Sequence, residues 1–390
     1  MLTTHVSRRM QAVQPPVIPI IGDLIRSTPG VISLGQGIVS YGPPAAALQA
    51  AARFGGRLDD HRYGPVEGLP DLLDAIARKL ATENHIPLAG RRIIVTAGGN
   101  MGFFNAVLAV ADPGDEIILL SPFYFNHDMA IVMAGCRTVS VPTDASYQPR
   151  LDLLRQAITP RTRAIVSISP NNPTGAVYPA ATVDAINALC AAHGLYHIHD
   201  EAYEYFTYDA VAHISPARRA ESAPHTISLY SLSKAYGFAS WRIGYMVIPD
   251  ALFDAVNKIQ DTNLICPPAV SQAAALACLE AGRAYSTPFA AQLGDVRGRV
   301  RDALTAIPDV CTAPPAEGAF YYFLQVHTPL EAFAVAERLI KEHGVAVIPG
   351  SAFGQQDGCA LRVSYGALDP ASVAEGVSRL VRGLRAVVSG

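Results

Sequence analysis

Apolar positions in the middle of the chain follow two alternating patterns. Short β-rich or continuously apolar runs predict six strands, over Ile93–Thr96, Glu116–Leu120, Thr138–Val141, Ala164–Ser169, Leu195–His199 and Ile227–Tyr230. Longer apolar segments predict helices among them, over Asn100–Val110, Met129–Gly135 and Thr182–His193. Strands that alternate with helices favour an α/β fold whose mostly parallel sheet is covered by helices on both faces.

The pattern differs on either side of this region. Helices are predicted over Ile18–Ser27, Ala45–Arg53, Leu69–Glu83, Ala251–Gln260 and Ala269–Gly282. From about residue 290 the sequence predicts a helix, the strand pair Thr312–Gln325, the helix Leu330–Gly344, the strands Val345–Ile348 and Ala360–Ser364, and a last helix Ala371–Val387. This order is typical of an α+β domain.

Composition excludes several classes of protein. The 390 residues are 50% hydrophobic and 16% charged, with a formal net charge of −3 and no basic tract, so nothing indicates a nucleic-acid or anionic-membrane partner. No signal peptide and no apolar run of membrane-spanning length is found. The six cysteines are scattered without a CxxC pair, which predicts neither a disulfide framework nor a metal site. We therefore expect a soluble, cytoplasmic protein.

The stretch Thr226–Gly244, TISLYSLSKAYGFASWRIG, carries the strongest chemical signal. Lys234 is one of four lysines and alone lies among aromatic and hydroxyl residues at the end of an apolar strand. Loss of hydration lowers the pKa of a lysine and makes its neutral amine accessible, as a Schiff-base lysine requires. Ser231 and Arg242 are close enough in sequence to supply a hydroxyl donor and a forked cation for one phosphate. Taken alone, the stretch also fits a half-exposed lysine beside a tight turn.

Polar side chains follow three successive predicted strands. Asn172 lies in SPNNPTG after the first, Asp200 and Tyr203 in HDEAY end the second, and Lys234 follows the third. The intervals from Asn172 to Asp200 and on to Lys234 are 28 and 34 residues, about one βα unit each. Because ligands bind beyond the carboxyl ends of strands in open α/β sheets, we expect these groups to converge on one crevice. Separately, Asn172 also fits a turn and Asp200 a helix cap.

Four further residues, at one helix start and in two other segments, are candidates for ligand contacts. Gly99 and Asn100 open a helix after a strand, where free N–H groups favour an anion, although a plain βα turn fits equally well. Tyr124 lies at another strand end and could stack on a flat ring. Arg362 is a charge inside an apolar strand and needs a partner, either a substrate carboxylate or a structural ion pair.

These groups suit pyridoxal 5′-phosphate. A carboxylate keeps the ring nitrogen protonated, so that the ring can act as an electron sink. An amide and a phenol can bond the ring's phenolic oxygen, and the lysine amine can form the Schiff base and then move the substrate proton.

With these residues in place, the chain resembles the class I/II aminotransferases, the fold-type I pyridoxal-phosphate enzymes typified by aspartate aminotransferase. The resemblance spans essentially the whole length. The matching pieces are SLGQG, RYGPVEGLPDL, VTAGGNMGF, SPNNPTG, HDEAY, SLSK followed by WRIGY, GAFYYF, VAVIPGSAFG and LRVSYG. It implies a large domain over 45–285 and a small α+β domain that combines 1–44 with 286–390.

The resemblance also implies roles for individual residues. Lys234 would be the Schiff-base lysine, Asp200 the partner of the ring nitrogen, and Asn172 and Tyr203 the contacts of the phenolic oxygen. The remaining cofactor contacts would be Tyr124 on the ring and Gly99, Asn100, Ser231, Arg242 and possible Ser233 on the phosphate. Arg362 would bind the substrate α-carboxylate, with Asn172 and Gly37 beside it. Tyr63 would reach the cofactor phosphate of a partner subunit, which implies a homodimer with shared sites.

Departures from the family pattern leave the substrate open. His127 stands where relatives often have a second tyrosine, and no second arginine stands out as a clamp for a distal carboxylate. Ala239 and Ser240 replace a glycine pair, with little expected consequence. We predict an aminotransferase that moves an amino group from an L-α-amino acid to a 2-oxo acid by ping-pong half-reactions. A β-elimination lyase or cyclase on the same scaffold is the nearest alternative, and a non-catalytic effector-binding module is a more distant one.

Overall fold

The computed structural model describes residues 5–389 and consists of helices and three β-sheets. The α-helices of this part of the chain are α1 Arg8–Ala12, α2 Val17–Ser27, α3 Ala45–Arg53, α4 Pro70–Thr82, α5 Gly99–Val110, α6 Phe125–Met133, α7 Leu151–Ala157, α8 Ala180–Ala192, α9 Leu232–Ala235, α10 Phe253–Asn263, α11 Ala269–Thr305, α12 Ala332–His343 and α13 Pro370–Ser389. Its strands are β1 Ile32–Ser33, β2 Arg91–Thr96, β3 Glu116–Ser121, β4 Arg137–Pro142, β5 Thr162–Ile168, β6 Tyr196–Asp200, β7 Thr226–Ser231, β8 Gly244–Pro249, β9 Cys311–Thr312, β10 Tyr321–Val326, β11 Val345–Ala346, β12 Ile348–Pro349 and β13 Cys359–Ser364.

A seven-stranded sheet forms the centre of the molecule, in the order β2-β8-β7-β6-β5-β3-β4. Strands β3 to β7 pair in parallel, and β8 is antiparallel to both β2 and β7. The inner strands are apolar on both faces; in β3, for example, the first five residues are all buried. Such strands need cover on both sides, which the flanking helices supply. The predicted mostly parallel α/β sheet is therefore confirmed.

Strand β8 was missing from the sequence prediction, although all its residues are buried. It inserts between β2 and β7, with Gly244 opposite Ser231 and opposite Thr96. Glycine is required there because a Cβ on Gly244 would lie 2.6 Å from the carbonyl oxygen of Tyr230. This close approach sets Arg242, just before β8, beside the start of α5.

The two smaller sheets are formed mainly by the C-terminal third of the chain, and one of them includes a strand from near the N-terminus. Strand β1 pairs in parallel with β11, so residues near the N-terminus are hydrogen-bonded to the C-terminal third. The order β12-β13-β10-β9 makes an antiparallel four-stranded sheet, in which β10 and β13 pair along six residues each, from Tyr321 opposite Ser364 to Val326 opposite Cys359.

One predicted helix begins earlier in the structure. The segment expected over Met129–Gly135 starts at Phe125 as α6, and the Phe125 ring packs against Phe353 of a core cluster. The helix predicted to end at Gly282 agrees with the structure, because the backbone leaves the helical region there (φ 65°, ψ −170°) and a second helical segment of α11 follows to Thr305. No helix within residues 5–389 combines the length and apolar character needed to cross a membrane.

Candidate active site

A cavity of about 310 Å³ opens at the carboxyl ends of β5, β6 and β7. The loop after β1 and strand β13 close its other side, so the central sheet and the antiparallel sheet both contribute to it. Its walls include these residues of the predicted site: Gly37, Gly99, Asn100, Tyr124, Asn172, Asp200, Tyr203, Ser231, Ser233, Lys234, Arg242 and Arg362.

Lys234 lies on the short helix α9 directly after β7. The Ser231 side chain caps this helix by accepting from the Ser233 N–H, and the Tyr41 hydroxyl donates to the Lys234 carbonyl oxygen over 2.9 Å. The Lys234 ammonium donates to the carbonyl oxygen of Gly37. The pKa of Lys234 is lowered from 10.5 to about 8, chiefly by burial and then by the positive charges of Arg362 and Arg242, against an opposing effect of Asp200. An appreciable fraction of this side chain is therefore an unprotonated amine near neutral pH.

Asp200 ends β6, and its two carboxylate oxygens have different close neighbours. The Ala202 N–H donates to Oδ1 over 3.1 Å, as in an Asx turn, and Nε2 of His127 lies 3.2 Å from Oδ2. His127 is 2% exposed and its ring stacks on Phe103 with centroids 3.9 Å apart. The Asp200 carboxylate is therefore oriented by its own turn and lies against an imidazole whose position is fixed by packing on Phe103.

A chain of hydrogen bonds connects Arg362 to two tyrosines. The Arg362 guanidinium donates to Oδ1 of Asn172 over 2.9 Å and to the carbonyl oxygen of Gly35 over 2.7 Å. The Asn172 amide in turn donates to the Tyr203 hydroxyl, which lies 2.7 Å from the Tyr321 hydroxyl. Arg362 is 3% exposed, and its Nε has no hydrogen-bond partner among residues 5–389. Because this guanidinium lines the cavity, it can bind an anionic ligand there.

The loop that carries Asn172 is fixed by its neighbour in sequence. Oδ1 of Asn171 accepts from both the N–H and the hydroxyl of Thr174, and both residues are buried. Asn172 thus combines the two uses that its sequence context allowed: it lies in a turn and it also faces the cavity.

The start of α5 forms an anion cradle with Arg242. The first N–H groups of an α-helix have no partner within the helix and carry its positive dipole end. Gly98 precedes α5 with φ 83° and ψ 169°, a conformation accessible essentially to glycine alone. A Cβ on Gly98 would lie 2.5 Å from Nη2 of Arg242, so the missing side chain leaves room for the guanidinium beside the helix N-terminus.

Tyr124 occupies the N-cap position of α6 and lines the cavity. Its hydroxyl accepts from the Asn126 amide over 2.7 Å and donates to Oδ1 of Asn100 over 3.4 Å. Burial raises the pKa of Tyr124 above its ordinary value, so the phenol stays protonated at neutral pH. Its ring and hydroxyl thus lie between the anion cradle and His127.

Tyr63 is the predicted site residue that lies elsewhere. It is 81% exposed and does not line this cavity. Conversely, Tyr321 lines the cavity but was not predicted, although it begins β10 within the matched piece GAFYYF. Its position also explains Gly37, since a Cβ there would lie 2.7 Å from the Tyr321 hydroxyl.

Comparisons with known proteins point in one direction. The family model "Aminotransferase class I and II" matches residues 29–380. An aromatic aminotransferase of Arabidopsis thaliana is 33% identical over 388 residues, covering 97% of this chain and 96% of that protein. An aspartate/prephenate aminotransferase of Thermus thermophilus is 34% identical over 373 residues, covering 92% of this chain and 94% of that protein.

Solved structures agree. The aspartate aminotransferase from Thermus thermophilus with maleate superposes with a TM-score of 0.89 at 32% identity, covering 98% of this chain and 100% of that one. An aromatic aminotransferase from Pyrococcus horikoshii superposes with a TM-score of 0.85 at 31% identity, covering 94% and 99%.

Proposed function

The chain belongs to the class I and II aminotransferases, and from that premise we propose that its cavity binds pyridoxal 5′-phosphate on Lys234. Members of this family transfer amino groups and are generally dependent on that cofactor, and the predicted aminotransferase activity is confirmed by the relatives. The lyase alternative gains no support from them.

The charges around the cavity suit an anionic cofactor with an anionic substrate. Lys234, Arg242 and Arg362 all line it, and the two arginines lower the pKa of Lys234 by their proximity. A phosphate beside Arg242 and a carboxylate beside the Arg362 guanidinium would compensate these charges. The cavity also lies within the size range of cofactor sites, about 300–1,000 Å³.

Each residue then has a place around the group. The first N–H groups of α5 at Gly99 and Asn100, the Ser231 hydroxyl and the Arg242 guanidinium would hold the phosphate, with Ser233 alongside. Asp200 would face the ring nitrogen, Asn172 and Tyr203 the phenolic oxygen, and Tyr124 the ring face.

Bound pyridoxal phosphate supplies an electron sink for the electron pair released at the substrate Cα. Arg362 would hold the substrate α-carboxylate through its fork, which orients the Cα–H bond. Nζ of Lys234, as a neutral amine, can take the proton from that carbon and return it. His127, whose Nε2 lies 3.2 Å from Oδ2 of Asp200, would hold that carboxylate in place beside the ring.

One observation carries the proposal. Side chains from the ends of three successive parallel strands and from the separate strand β13 converge on one cavity, and the lysine among them has a pKa of about 8. A structural lysine at a turn would not require a buried arginine, a fixed carboxylate and a helix N-terminus around it.

The test is to locate the cofactor on the chain. Protein purified with pyridoxal phosphate is reduced with borohydride, digested and mapped by mass spectrometry. The proposal expects the pyridoxyl mass on Lys234, its loss in Lys234→Arg, and its retention in the matched control Lys258→Arg, which changes an exposed lysine on α10. Labelling at another lysine, or labelling that survives Lys234→Arg, would contradict it.

We also propose a cytoplasmic homodimer with shared sites and the division of the chain into a large domain, 45–285, and a small domain, 1–44 with 286–390. The exposure of Tyr63 supports a contact outside its own subunit's cavity, and the β1–β11 pairing supports the joining of both chain ends in one domain.

A further inference from the structure

Helix α2 presents a ridge of isoleucines to the active-site cavity. Ile18, Ile21 and Ile25 all line it, at positions i, i+3 and i+7 of the helix, which share one face. Ile21 is 2% exposed and belongs to the core cluster below the ridge, whereas Ile18 is 36% exposed at the cavity rim. Ile20, on another face of the same helix, does not line the cavity.

Apolar side chains continue around the same part of the cavity. Ile38, Phe125 and Ile348 line it as well. Ile348 on β12 lies directly opposite Arg362 on β13, so the two side chains share one face of the sheet. An apolar surface therefore begins beside the guanidinium that would hold the α-carboxylate.

The positively charged side chains of the cavity all have a role in the proposed function. Of residues 5–389, the lysines and arginines that line it are Lys234, Arg242 and Arg362. The uncharged Ser33 and Gln36 add polar atoms at the wall. A second carboxylate on a substrate would therefore lose hydration against isoleucines without a cation of the same subunit to compensate it, which is costly.

We propose that the substrate side chain is apolar, aromatic or branched aliphatic, and that Ile18 is a specificity-determining residue at the rim of its subsite. This inference rests on the proposed function, because it takes Arg362 as the anchor of the α-carboxylate and Arg242 as the anchor of the phosphate. Burial of an apolar side chain against this ridge contributes to binding in proportion to the area removed from water.

The kinetic test compares phenylalanine with aspartate as amino donors. In the holoenzyme, kcat/KM for phenylalanine should exceed that for aspartate by at least about tenfold. Ile18→Arg should lower this ratio at least about tenfold, chiefly by improving aspartate, because the guanidinium can pair with its side-chain carboxylate. Ile20→Arg, which adds the same charge to the same helix away from the cavity, should change the ratio by less than about twofold.

A binding measurement keeps the subsite testable apart from catalysis. Calorimetry on the holoenzyme should show tighter binding of 3-phenylpropionate than of succinate, and Ile18→Arg should reverse the order. A preference for aspartate and succinate in the unmodified protein, a preference for glutamine, or equal effects of the two arginine variants would overturn the proposal. Absence of any 2-oxo acid product would instead count against the proposed function, and the two ligands would still decide the nature of the subsite.

Discussion

Replacing Arg362 should raise the pKa of Lys234. The guanidinium lies on β13 and lowers that pKa by charge repulsion, second only to burial. Arg362→Gln removes the charge while its amide can still donate to Asn172 or to the Gly35 carbonyl, which are the partners of the guanidinium. The variant therefore tests electrostatics with little loss of local hydrogen bonding.

The lowered pKa of Lys234 sets the size of the change expected in Arg362→Gln. The pKa of Lys234 falls from 10.5 to about 8, which corresponds to about 3 kcal/mol between the ammonium and amine forms. Burial is the largest cause, Arg362 the next and Arg242 the third, so removal of Arg362 should raise the pKa by about one unit. Because the unfolded chain keeps this proton to higher pH than the folded chain, Lys234 also makes stability rise with pH between about 8 and 10.5.

The assay measures acetylation rates of individual lysines against pH. Protein freed of cofactor is pulsed with acetic anhydride and mapped by mass spectrometry, with exposed Lys258 and Lys341 as internal references. The midpoint for Lys234 should lie near pH 8 and move upward in Arg362→Gln. Arg338→Gln, which removes a guanidinium paired with Glu342 on α12, should leave it in place. An unchanged or lowered midpoint in Arg362→Gln would refute the electrostatic reasoning.

The geometry supports three further predictions. Gly98→Ala should weaken pyridoxal phosphate binding at least about tenfold in a fluorescence titration, because its backbone conformation costs about 1–3 kcal/mol for a residue with a Cβ and the methyl would meet Arg242. The control Gly114→Ala, with φ 93° but open space around it, should bind the cofactor normally. Equal losses of affinity in the two variants would contradict a phosphate cradle at Gly98. Lys79→Met should lower the unfolding free energy measured in urea by about 3 kcal/mol, because it leaves Glu204 without its buried partner. The double variant Lys79→Met with Glu204→Gln should recover part of this stability. A single variant of unchanged stability would contradict the importance of the ion pair. Burial opposes ionisation of Glu201, yet His213 and Ser215 hold its pKa at about 2, so its stabilising effect is present above pH 4.5 and lost as pH falls towards 2. Glu201→Gln should therefore flatten the dependence of the unfolding free energy on pH in this range. An unchanged slope would contradict this role of Glu201.

Positions at the ends of parallel strands were the most predictable part of the site. Asn172, Asp200 and Lys234 could be placed together because β5, β6 and β7 are parallel neighbours, and the topology alone brings their carboxyl ends to one edge. The kind of residue at each end then indicated the chemistry. This inference needed no distances.

Contacts that depend on packing between distant elements were not predictable. The ridge of α2 reaches the cavity because α2 packs against α12 and β12, which lie far away in the sequence, and nothing local in VIPIIGDLI indicates those partners. His127 was noted as unusual, but its contact with Asp200 requires the start of α6 to lie beside β6. Strand β8 is antiparallel within a βα alternation, an arrangement that the alternation itself does not predict.

The most direct test of the central claim is a single-turnover reaction without an acceptor. Holoenzyme is mixed with an excess of an apolar L-amino acid, and 2-oxo acid and ammonia are both quantified. We expect one equivalent of 2-oxo acid per subunit, no ammonia, and resumption of turnover only when a second 2-oxo acid is added. Continued release of ammonia without an acceptor, or no product from any amino acid together with unchanged behaviour in Lys234→Ala, would contradict an aminotransferase centred on Lys234.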